Sequence, residues 1–133
     1  MSIVEVSGAI PLTALYAGLH GLLAVLLANF VLFVRLRPSS PKWQADAALR
    51  VQANFVENVP IALLLLLVLE MQGVTATAVH AFGSLLFVLR CLHAFGLGTT
   101  EAPNYPRLIG AQGTFVLISI MAMACIASAF SWF

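Results

Sequence analysis

The chain has 133 residues, 62% of them hydrophobic and 8% charged, with a formal net charge of +1. About a quarter of an average soluble domain is charged, so the composition excludes an ordinary soluble fold, and the near-neutral balance excludes a nucleic-acid binder or a polybasic tail. A hydrocarbon core needs about 20 apolar residues per spanning helix. Four stretches, at about 10–34, 43–69, 74–97 and 107–133, are long enough. The expected fold is therefore all-α: a polytopic membrane protein forming one four-transmembrane-helix bundle over residues 1–133, with short loops.

In the first span, Pro11 permits a helix start, and the apolar run is longer than the roughly 7–15 residues of a signal-peptide core, which marks it as retained. His20 lies inside it beside Gly21, and Asn29 lies further on. A histidine in a membrane helix usually faces protein and shares a hydrogen bond with it, so His20 is expected to be structural. Pro38 and Pro41 end the span, and Arg35 and Arg37 are suited to snorkel to the headgroups.

The second span carries the most informative stretch, Arg50-Val-Gln-Ala-Asn54-Phe-Val-Glu57-Asn58-Val-Pro60. At about 100° per residue, Arg50, Asn54 and Glu57 fall at about 0°, 40° and −20° on a helical wheel, while Gln52 lies off this stripe at about 200°. Trp43 marks the interface, and Glu57 lies about 10 Å deeper than Arg50. An ionised residue at a helix centre costs roughly 2.5–3.5 kcal/mol, so Glu57 needs Arg50, an arginine on another helix, or a ligand. Ion pair and ligand site are equally open on pattern alone. Pro60 removes a backbone bond and is expected to bend the helix. The same face continues as Ile61, Leu64, Leu65 and Val68, which suits a ligand with one charged end, or two ligands of opposite character.

On the third span Arg90 and His93 are neighbours on one surface, and His80 is expected at the opposite interface. Gly96, Gly98, Pro103 and Pro106 keep the next segment irregular, after which Arg107 is expected to open the fourth helix. There Gly110, Ala111, Gly113 and Thr114 permit close helix approach. Cys91 and Cys125 lie at different depths, with no CxxC and no metal-ligand spacing, and read as packing residues. No metal site is expected, and no nucleotide loop, HExxH or GxSxG motif is present.

The six basic residues, Arg35, Arg37, Lys42, Arg50, Arg90 and Arg107, all fall on one side of a four-span topology. The bias of Lys and Arg toward the cytoplasm predicts that this side is cytoplasmic and that both termini and the turn after Glu70 face away. The short loops are compatible with a bacterial inner membrane.

Arg50-x-Gln52-x-Asn54-x-x-Glu57-x-x-Pro60 in the second of four short spans resembles the signature of the MAPEG family, the membrane-associated proteins in eicosanoid and glutathione metabolism. Arg35 within Val34-Arg-Leu-Arg37, Arg90-x-x-His93 and Arg107 are similar to further polar positions of its prostaglandin E synthase branch. The resemblance implies a homotrimer that binds glutathione as co-substrate between subunits on the cytoplasmic side, with a hydrophobic substrate entering from the bilayer. It implies glutathione-binding roles for Arg35, Arg50, Asn54, Glu57, Arg90 and His93, and a thiol-activating, catalytic role for Arg107. The chemistry is consistent: arginines suit the two carboxylates of glutathione, Glu57 suits its amino group, and a cation lowers a thiol pKa. The sequence departs from the pattern at Leu97 and Asn58, where branches of the family carry tyrosine, and Tyr105 is the candidate replacement. The Thr99–Pro106 stretch resembles the lipoxygenase-activating protein, which binds lipid without catalysis.

The leading expectation is a glutathione transferase or peroxidase acting on lipophilic electrophiles or lipid hydroperoxides. The alternatives are a non-catalytic lipid-binding or scaffold protein of the same fold and, more distantly, a small four-span multidrug transporter with an essential glutamate. A transporter has no need of Arg50 in register with Asn54 and Glu57, or of Arg90 beside His93.

Overall fold

A computed structural model describes residues 11–37, 45–96 and 104–130, and these contain four long helices: α1 (Thr13–Leu36), α2 (Ala45–Met71), α3 (Ala76–Phe95) and α4 (Tyr105–Phe130). Each is long and apolar enough to cross a membrane, and no strand occurs among the described residues. The all-α four-span bundle therefore holds. The ends of the expected segments at Trp43, Leu97 and 131–133 lie outside the described residues.

Helix ends follow their capping chemistry. Leu12, at the head of α1, has no side chain able to cap. The carboxylate of Glu70, at the far end of α2, supplies the acceptor instead, taking hydrogen bonds from the Leu12 N–H (2.5 Å), the Thr13 N–H (2.8 Å) and the Thr13 hydroxyl (2.6 Å). A negative charge there also meets the positive end of the helix dipole. After Met71 the chain reverses through Gly73, whose φ of 90° is a left-handed conformation favouring glycine. Thr75 then caps α3 by accepting from the Ala78 N–H at 3.3 Å. The fourth helix begins at Tyr105, two residues before the expected start at Arg107. Asn104 provides the cap there, and Pro106 is tolerated because its missing N–H falls in the first turn. Helix α2 runs through Pro60 without a break.

Helices α2 and α3 form the middle of the bundle. Helix α1 packs mainly on α2, helix α4 on α3 and α2, and no Cα atom of α1 comes within 8 Å of one of α4 among the described residues. One buried cluster joins Tyr16, Ala62, Leu66, Val79, Leu86, Leu117 and Met121 across the four helices, and a smaller one joins Leu27 to Val51, Phe55 and Val59. The outer faces are also apolar, with Leu22, Leu26, Val56, Val88 and Met123 exposed. That is the surface of a protein solvated by lipid.

Near the Glu70 end, the Tyr16 hydroxyl lies 2.7 Å from Nδ1 of His80, and a methyl group on Gly83 would clash with the Tyr16 ring. His20 is 1% exposed. Its Nδ1 is 2.6 Å from the Tyr16 carbonyl, and its ring packs against Phe55 and Phe87 with centroids 6.2 and 5.5 Å away. The packing against protein is as expected; the hydrogen bond stays within α1, and Nε2 is buried with no hydrogen-bond partner among the described residues. Both cysteines are free, and the Cys125 thiol points at the Leu65 carbonyl at 3.8 Å.

Candidate functional site

At the other end of the bundle, the polar residues divide into a group that the fold gathers and a group that it leaves outside. Arg90 anchors the first. Its position on α3 turns it inward, where it is 2% exposed. Its Nη1 donates to Oδ1 of Asn54 on α2 at 3.0 Å, while Nη2 is buried with no hydrogen-bond partner among the described residues. A buried guanidinium with one of its terminal nitrogens unmatched is costly. That nitrogen is a charged donor for which no acceptor occurs among the described residues.

His93 lies one turn along α3 and is 5% exposed, within electrostatic range of both Arg90 and Arg107. Its backbone is fixed by helix α4. A Cβ on Gly110 would come within 2.6 Å of the His93 Cβ and 2.6 Å of the Leu89 carbonyl, so only glycine permits this approach. Thr114, one turn on, is fully buried and turns its hydroxyl back to the Gly110 carbonyl at 2.7 Å. These small residues draw α3 and α4 together, as their spacing predicted, and the closeness sets the distance between His93 and the head of α4.

Arg107 is half-buried in the first turn of α4, its stem against Gly96 at the end of α3. Its backbone N–H donates to Oδ1 of Asn104 at 3.3 Å, and Nδ2 of Asn104 donates to the Gly96 carbonyl at 2.7 Å. Asn54, Arg90, His93 and Arg107 thus converge from three helices on one end of the bundle. Among the described residues, no cluster of His, Cys, Asp and Glu fit to hold a metal occurs.

The second group is Arg35, Arg50 and Glu57. All three are exposed, and none has an ion-pair partner among the described residues. Arg50 and Glu57 do not form the internal pair that the sequence left open. The stripe on α2 is split: Asn54 turns toward α3, whereas Arg50 and Glu57 face outward. The side-chain amide of Asn58 is spent on the Asn54 carbonyl at 2.8 Å. Tyr105 is exposed at the first position of α4. Leu97 lies outside the described residues. Asn104 is the residue near this site that sequence reasoning missed; an asparagine two residues before a proline is a recognisable helix-start signal.

The sequence profile of the MAPEG family matches residues 13–127, and so takes in the first three helices, all but the last turn of α4 and every residue of both groups. The chain is also 36% identical over 91 residues to the inner membrane protein YecN of Escherichia coli strain K12, an alignment covering 63% of this chain and 68% of that protein. The YecN protein of Escherichia coli O6:H1 strain CFT073 matches with the same identity and coverage. No solved structure matches significantly. With four spans and inner-membrane relatives, this is an integral protein of the bacterial inner membrane, and the chain belongs to the MAPEG family.

Proposed function

We propose that the protein is a glutathione-dependent membrane transferase, with peroxidase activity as the related chemistry, acting on lipophilic electrophiles or lipid hydroperoxides. The observation that carries this reading is the buried Nη2 of Arg90, unmatched among the described residues, on a guanidinium held by Asn54 at the end of the bundle that also carries His93 and Arg107. A carboxylate is the natural complement of such a donor. The residues fit glutathione, which has two carboxylates, an ammonium group and, as its reactive part, a thiol.

In this reading Arg90, held by Asn54, binds a carboxylate, and His93 borders the same space. Arg107, at the positive end of α4, holds its charge where a thiolate forms, and so lowers the free energy of the ionised sulfur. Arg35, Arg50 and Glu57, exposed on the single chain, complete the site against neighbouring copies in a homotrimer; an exposed charge at membrane depth is costly unless it meets such a partner. Glu57 then receives the ammonium group. The apolar outer faces admit the second substrate from the bilayer. The basic end is assigned to the cytoplasm, with the termini opposite.

The test is conjugation of glutathione to a generic aromatic halide by purified protein. Wild type turns over, and Arg107→Ala loses roughly 100-fold or more in kcat, the scale of removing one preorganised charge-stabilising donor. Absence of glutathione-dependent turnover together with absence of a thiolate absorbance would leave the non-catalytic lipid-binding alternative.

A further inference from the structure

We infer that Asn104 is a positioning residue that ties the end of α3 to the head of α4 and thereby fixes where Arg107 carries its charge, an inference resting on the glutathione reading above. One short side chain bonds to both helices. Its Nδ2 donates to the Gly96 carbonyl at 2.7 Å, and its Oδ1 accepts the Arg107 backbone N–H at 3.3 Å, while its own carbonyl accepts the Leu108 N–H at 3.0 Å as α4 begins. The cap alone would start α4; the second bond sets where it starts relative to α3.

Gly96 forms the other half of the device. A Cβ there would overlap Cγ of Arg107 and come within 2.8 Å of Oδ1 of Asn104, so the stem of Arg107 lies directly against the backbone of α3. His93 precedes Gly96 by three residues and Arg107 follows Asn104 by three. The bridge between Gly96 and Asn104 therefore fixes the spacing of two members of the site. Arginine has a long, flexible stem, and boxing its first carbons restricts where its guanidinium reaches. Displacing a stabilising cation weakens its hold on a thiolate steeply in a low-dielectric site.

Three variants of the full chain in nanodiscs separate tie from cap. In Asn104→Ala, the pH–rate profile for conjugation moves toward alkaline pH by about one unit, equivalent to a tenfold loss of thiolate, while affinity for S-methylglutathione, which has no free thiol, changes by less than about twofold. Asn104→Ser keeps a capping oxygen without the reach to Gly96, and shows the same alkaline shift. Gly96→Ala keeps the asparagine but crowds its Oδ1 and the stem of Arg107, and also shifts the profile. Site-resolved amide exchange gives a readout independent of activity: the Arg107 amide exchanges about fivefold faster in Asn104→Ser, which keeps the capping oxygen and loses only the bond to Gly96. A wild-type pH profile in Asn104→Ser overturns the tie, and so does unchanged Arg107 exchange in that variant. A wild-type protein with neither turnover nor thiolate signal contradicts the glutathione reading instead, and the exchange measurement still decides the tie.

Discussion

The two ends of the bundle solve the same problem in opposite ways. At the Glu70 end, polar groups answer one another: Glu70 accepts three hydrogen bonds at the head of α1, Tyr16 meets His80, and Thr75 caps α3. At the arginine end, Arg90 keeps a buried nitrogen without a partner among the described residues, and Arg35, Arg50 and Glu57 face outward. A bundle whose helices are apolar on every side gains little from the hydrophobic effect once in lipid, so hydrogen bonds and close packing hold it. One end supplies that adhesion, and the other leaves polar groups unanswered among the described residues, which is what the proposed glutathione site rests on.

Breaking this comparison takes substitutions whose effects fall on one end only. The largest stability loss is expected for Glu70→Ala, which strands two N–H groups and a hydroxyl and should cost about 2–3 kcal/mol, read as a lower unfolding midpoint, with glutathione affinity within about twofold of wild type. Arg90→Met reverses the pattern. It removes a buried charge only half satisfied among the described residues, so stability is unchanged or rises, while glutathione affinity falls roughly thirtyfold, about 2 kcal/mol. Tyr16→Phe is the smallest change, about 0.6 kcal/mol, the average worth of a hydrogen bond between membrane helices, again with no effect on glutathione. If Glu70→Ala weakened glutathione binding as much as Arg90→Met, the division of labour would be wrong.

The four spans were legible because hydrophobic length is a direct requirement of the bilayer. Their ends were less so, since caps decide them: Asn104 moves the start of α4 two residues ahead of Arg107, and its signal is local and readable. The cap from Glu70 was not, because it joins residues 58 and 57 positions apart with no local pattern to reveal it. The polar stripe on α2 was visible, but its orientation was not. The buried residues Val51, Phe55, Val59, Ala62 and Leu66 centre at about 140° on the wheel that puts Arg50 at 0°. Asn54, at about 40°, therefore lies nearest the packed arc, and Arg50 and Glu57 lie beyond it. A helix apolar all round gives no contrast by which to identify its inner face.

Calorimetric titration of glutathione into purified wild-type protein and Arg90→Met bears most directly on the central claim that the arginine end is a glutathione site. The account predicts saturable binding to wild type and at least a tenfold loss of affinity in a variant that remains as stable as wild type. Equal affinity in the two proteins, or no binding to wild type, would contradict it.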